Sequence, residues 1–182
     1  VRERQEASED AVMTRIGQAV ILLHGGDREE ARNRFGELWA ELGEAGDAFH
    51  RCALAHYMAD TQDDPGDELA WDLRALTAAD GLGEESAAER GVGGGRADGG
   101  EPGGGRWAEA REGVPGASSV VRAFYPSLHL NLAADYLKLQ RPEAARLHLD
   151  RARDAADALG AEGDVNGVRA GIDRLERLLR ER

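Results

Sequence analysis

Between Tyr125 and Leu159 apolar residues recur at helical spacing in two successive runs. Leu128, Leu132, Tyr136 and Leu139 fall at steps of four, four and three, which lines them along one helix face. Leu130, Ala134 and Leu137 make an adjacent stripe. An arc that wide predicts packing on two neighbours. Pro126 stands near the start of this helix, where a missing amide proton costs little. A second helix is predicted from Pro142, with Glu143 at the positive end of its dipole. Ala145, Leu149, Ala152, Ala156 and Leu159 then repeat at four, three, four and three, and Gly160 and Gly163 end the run.

The same alternation organises the rest of the chain. Ser8 is a candidate cap for a first helix whose apolar face is Val12, Ile16, Ala19, Val20 and Leu23. Gly25-Gly26 stops it, and Asp27 with Glu30 reads as a capping box for the next helix. That helix carries Ala31-x3-Phe35-x2-Leu38, with Trp39 and Leu42 on the same side. A third runs through Phe49–Met58. A fourth begins at Asp64-Pro65, and Leu69-x3-Leu73-x2-Leu76 is its predicted buried face. From Gly83 to about Ala117 the pattern fails; half of the glycines of the chain lie there, and a disordered insertion is expected. Ser118 or Ser119 caps a short run leading into the Tyr125–Leu159 pair. Asp164 is a candidate cap for a last helix with Val165, Val168, Ile172, Leu175 and Leu179 inward and Arg169, Asp173, Arg174, Glu176 and Arg177 outward. The prediction is all-α: three helical hairpins and a closing helix.

Two helices match each other across the insertion. Phe49-His50-Arg51-Cys52-Ala53-Leu54-Ala55-His56-Tyr57-Met58 lies on Leu128-His129-Leu130-Asn131-Leu132-Ala133-Ala134-Asp135-Tyr136-Leu137, with His on His and Tyr on Tyr. The tetratricopeptide signature is W-x2-L-G-x2-Y followed by A-x3-F, over about 34 residues. His129-x2-Leu132-Ala133-x2-Tyr136 and Ala145-x3-Leu149-x2-Ala152 resemble its two halves, with His for Trp, Ala for Gly and Leu for Phe. The chain thus resembles a tetratricopeptide repeat protein of the bacterial, stand-alone kind. The resemblance implies a right-handed α-solenoid of about three hairpins plus a C-terminal capping helix. Residues 1–82 would hold two hairpins, 83–117 the insertion, and 118–182 the third hairpin and the cap, all in one solenoid. Single repeats cannot bury their faces alone, and about three are needed. The family also implies a concave groove lined by the first helix of each hairpin. Mapped here, the groove residues are Arg51, Ala55, Met58, Leu130, Asn131, Ala134, Leu137 and Lys138. Met58, Leu130 and Leu137 would give apolar contacts to a peptide or partner segment, and Arg51, Asn131 and Lys138 its polarity. In family members that hold a partner's C-terminal carboxylate, Asn and Lys at such places clamp it.

Charge narrows the partners. The formal net charge is −12 and no basic stripe is present, so a nucleic-acid backbone is a poor match. The longest aliphatic run, Ala19–Leu23, is far too short to cross a bilayer, and no signal peptide is visible. With a single cysteine, Cys52, a reducing cytoplasmic setting is expected. A self-associating structural subunit, a homo-oligomer joined through the last helix, is a third reading.

Other chemistry is sparse. Cys52, His56 and Asp60 share a helix face, and a metal- or thiol-dependent enzyme built on His50, Cys52, His56 and His129 is the rival reading. Against it, His50 and His129 occupy core positions of the repeat, where a histidine with one bonded nitrogen fits. Trp107, alone in the insertion, is a candidate anchor. No phosphate-binding loop or nucleophile elbow can be singled out. The expectation is a non-catalytic interaction module, without metal or cofactor.

Overall fold

The structure, a computed structural model, describes the backbone of residues 2–91, 117–160 and 167–181 and the side chains of 11–82, 122–160 and 167–181. Regular structure among these residues is helical throughout: α1 (Arg2–His24), α2 (Arg28–Leu42), α3 (Ala48–Ala59), α4 (Pro65–Gly91), α5 (Ala117–Lys138), α6 (Pro142–Leu159) and α7 (Val168–Arg180). The protein is all-α. Each helix packs on the next in sequence, and α1–α3, α3–α5 and α5–α7 also touch.

Three apolar clusters fill the interior. Ile16 and Ala19 meet Ala31, Phe35 and Leu38, with Leu54 and Met58 closing over them. Fully burying a ring such as Phe35 contributes about 1.5–3 kcal/mol. Small residues form the second cluster: Cys52 and Ala55 of α3, Ala75 and Ala79 of α4, and Tyr125 and Leu128 of α5. In the third, Ala133 and Leu137 meet Ala145, Leu149, Ala152 and Ala156, and Val168, Ile172 and Leu179 cover them. Small side chains let the backbones approach closely. At Gly171 an added Cβ would stand 2.6 Å from Leu130 Cδ2, so α7 sits close on α5 there and a side chain would make Leu130 shift.

Turns and caps follow local chemistry, with several departures from expectation. Asp64 Oδ1 accepts from the Gly66 and Asp67 amides at 2.7 and 3.2 Å, as its place before Pro65 suggested. Asp47 caps α3 by accepting from the His50 amide at 3.0 Å. Asp27 stands at the N-cap of α2 without a side-chain cap bond, so the expected capping box does not form on that side. Gln140, at φ 58°, reverses the chain between α5 and α6. The α3–α4 turn is held by α2: Arg32 Nε donates to the Thr61 carbonyl at 2.9 Å, and Arg28 pairs with Asp63 at 3.0 Å.

Four boundaries or faces differ from the sequence pattern. α4 continues through Gly83 to Gly91, so the break expected at residue 83 falls later; residues 92–116, including Trp107, lie outside the described residues. Pro126 lies inside α5, almost wholly buried, because the short run expected before it is continuous with the helix after it. α7 begins at Val168 behind Gly167, while Asp164 and Val165 lie outside the described residues. Most consequential, α4 does not bury Leu69-x3-Leu73-x2-Leu76. Its buried positions are Asp72, Ala75, Ala79 and Leu82, and Leu73 is exposed. The helix is turned so that a carboxylate faces inward.

Candidate functional site

The predicted groove residues do not form an open apolar groove. Ala55, Met58 and Leu137 are buried in the clusters described above. Leu130 is half-buried against Gly171 of α7, and Ala134 is half-buried. Arg51 lies over the Trp39 ring, 4.9 Å from its centroid, and donates to the Gly43 carbonyl at 2.6 Å. The apolar contacts expected from Met58 and Leu137 are therefore used in packing. Asn131 and Lys138 are brought to one place, with His56, on the side where α3 and α5 approach each other.

There the surroundings have the opposite sign from a carboxylate clamp. Lys138 Nζ lies 2.6 Å from both carboxylate oxygens of Glu68 and 3.5 Å from Asp135 Oδ1. Asn131 Nδ2 is 3.3 Å from His56 Nδ1, and the same imidazole nitrogen is 3.8 Å from Asp72 Oδ1. Asp72 and Asp135 are each 1 % exposed. Asp72 Oδ1 and Asp135 Oδ2 receive no hydrogen bond from another residue. The seam between α3, α4 and α5 thus gathers Asp60, Glu68, Asp72 and Asp135 around one lysine and one histidine.

Such crowding moves protons. Burial pushes the Asp135 carboxyl up to about 8, and the charges of Asp72 and Glu68 push the same way; Lys138 opposes them. Burial and the neighbouring acids thus favour the protonated form of Asp135. Burial alone would lower the His56 pKa, but its contacts with Asp72 and the nearby Asp60 outweigh burial and raise it. Asp60 is raised by burial, with Asp72 and Glu68 adding to the shift.

The four residues of the rival enzymatic reading are dispersed. His50 is buried with Nδ1 3.1 Å from Asp47 Oδ1. His129 meets a partner that the sequence pattern did not supply: its Nδ1 lies 3.0 Å from Nδ1 of the buried His148. Burial, the neighbouring His148 and Arg151 lower the His129 pKa to about 4. Cys52 is buried, and desolvation, with Asp72 and Asp80 nearby, pushes its thiol up to about 12, the reverse of a reactive thiolate. Among the described residues no group of three or more His, Cys, Asp or Glu side chains is placed to hold a metal ion. No helix described is long and apolar enough to cross a membrane.

Asp72, Asp135 and Glu68 were missed as site residues. Their signal was present in part. In the internal match of α3 with α5, His56 lies on Asp135, so both copies put a titratable group at one inward position. Two shallow depressions of about 460 Å³ lie elsewhere, one between α1 and α2 beside Arg15 and Arg34, one between α6 and α7 beside Arg153 and Arg180. None of the predicted site residues lines either. No protein-family model, curated protein or solved structure matches this chain.

Proposed function

We propose that this chain is a non-catalytic protein-interaction module of the tetratricopeptide type, a right-handed solenoid of three hairpins closed by α7, that takes a segment of a partner protein along its odd-numbered helices. The observation that carries the reading is the pattern of contacts: α1, α3, α5 and α7 each touch the next odd helix as well as their sequence neighbours. That is how stacked hairpins build one continuous face from their first helices. The internal match of α3 with α5, His50 on His129 and Tyr57 on Tyr136, adds to it.

The face favours polar recognition over apolar insertion. Met58 and Leu137 are used in packing, while Asn131, His56 and Lys138 remain half-buried or exposed along it. Binding through a peptide's side chains at micromolar strength requires only about 8 kcal/mol in total. A cytoplasmic location suits a protein with one buried cysteine and no need of a disulfide.

A random peptide library displayed on phage and panned against the full chain tests the reading. Selected peptides should protect α3 and α5 amides from hydrogen exchange. Selection of no peptide, or protection confined to α2 and α6, would discard it.

A further inference from the structure

We infer that the seam between α3, α4 and α5 is a site for a cationic side chain of the partner, an arginine, in the place now held by the Lys138 ammonium. The inference rests on the interaction-module reading and names the chemistry of its ligand. Three observations carry it. First, the seam has too few donors: four carboxylates face one lysine and one histidine. Second, Asp72 Oδ1 and Asp135 Oδ2 are buried and receive no hydrogen bond from another residue. Third, the Lys138 side chain, 46 % exposed, is the outer cover of the cluster and has solvent to retreat into.

The chemistry selects the ligand class. No three-ligand metal geometry is present among the described residues, so a compact divalent ion is poorly served. A guanidinium carries several donors in a planar fork that matches carboxylate oxygens, and it tolerates partial desolvation better than an ammonium. On entry it would donate to Asp72 and Asp135 and displace the Lys138 ammonium to solvent. Where Asp135 is protonated, its O–H bond breaks and the proton passes to water; otherwise only hydrogen bonds and ion pairs change. Lys138 then acts as a built-in competitor, since it satisfies Glu68 and Asp135 in the absence of ligand. The charged groups facing Asp135 are Glu68 and Asp72 on α4 and Lys138 on α5, and Asp72 in turn interacts with His56 and Asp60. Asp135 is raised to about 8, and His56 and Asp60 are raised as well, so loss of these protons should let arginine bind more tightly as pH rises from 6 toward about 8.

The test uses the full chain with two probes, acetyl-arginine amide and its neutral isostere acetyl-citrulline amide, followed by NMR chemical shifts. Arginine is expected to shift the Asn131 side-chain amide and the His56 ring, and citrulline is not. Lys138→Ala should tighten arginine binding several-fold. Asp72→Asn combined with Asp135→Asn should weaken it at least tenfold, while circular dichroism and a thermal melt establish that the variant is folded. Glu37→Gln, a surface acid distant from the seam, should change it little. Equal binding of the two probes overturns the proposal, and so does an equal effect of Glu37→Gln and the double variant. Library peptides that protect α3 and α5 without any arginine would leave the interaction reading standing and remove this one. Arginine amide binding at the seam with no peptide selected would do the reverse.

Discussion

Two helix junctions in this molecule are filled in opposite ways. Where α7 closes on α5 and α6, the interior is dry: Ala133, Leu149, Ala152, Ala156, Val168 and Ile172 meet one another. Charge stays at the rim, where Arg169 pairs with Asp157 at 2.9 Å and Arg153 pairs with Glu176. Where α5 meets α3 and α4, alanines again permit close approach, but Asp72 and Asp135 are carried inside with them. The dry junction demonstrates that stacking of these helices does not require buried acids. Desolvating a carboxyl is expensive, and a proton and a lysine only partly offset it. The acids are therefore a feature of the seam itself and not of helix stacking in general.

The comparison breaks most sharply under truncation. Leu149→Ala should destabilise the dry junction by about 2–5 kcal/mol, because the cavity cannot be filled by neighbouring alanines. A urea melt with unchanged slope and a lowered midpoint is the expected result. A loss below about 1 kcal/mol would mean that α7 is not held by this cluster.

Next in size is the histidine pair inside the α5–α6 hairpin. His129 is held near pKa 4 against an ordinary 6.5. The unfolded chain therefore binds the proton first as pH falls, so stability is full above 6.5 and is lost as pH drops toward about 4. The loss amounts to roughly 3 kcal/mol. Urea melts at steps from pH 7 to 4 read it, and a flat profile in a chain without Asp135 would contradict it.

Asp135 slopes the other way. Its folded pKa is raised, so the native state holds the proton longer, and stability is lost as pH rises from the ordinary 3.8 toward about 8. Asp135→Asn should cost little at pH 5 and stabilise the chain at pH 9, on the order of 2 kcal/mol. Because the two slopes oppose each other between pH 4 and 6.5, the histidine effect is best measured in Asp135→Asn. A variant less stable than the parent at pH 9 would mean that Asp135 is ionised and paired in the native state.

The helices were legible because their apolar residues repeat at helical steps. Ile16, Ala19, Ala31, Phe35, Leu38, Ala145, Leu149 and Ala152 are all buried where the pattern puts them. α4 was misread because Leu69, Leu73 and Leu76 make a better apolar stripe than Asp72, Ala75, Ala79 and Leu82. The second set is buried since α3 and α5 both press on α4, where Ala75 and Ala79 let the backbones come close and Leu82 packs beside Tyr125 and Leu128. Asn131 and Lys138 stand out in the sequence, but the acids that surround them do not. A buried Asp and a solvated one look alike on an acidic amphipathic helix, and Asp72 meets Asp135 only after α4 packs on α5. His148 was hidden for the same reason: its partner is on the other helix of the hairpin.

The smallest effect sharpens the rim of the dry junction. Arg169, at the start of α7, reaches back to the end of α6, donating to the Ala156 carbonyl at 2.9 Å and the Gly160 carbonyl at 3.2 Å. These carbonyls belong to the last turn of a helix and its cap, where no amide follows to bond them and a positive charge is favoured. Arg169→Met keeps much of the aliphatic stem and removes the donors. The expected cost is about 1 kcal/mol, reduced in high salt only for the part due to Asp157. Hydrogen exchange gives a finer reading than a global melt: faster exchange should appear in the last turn of α6 while α3 and α4 are unchanged. Faster exchange throughout α5 would instead mean that α7 clamps the whole third hairpin through this one side chain.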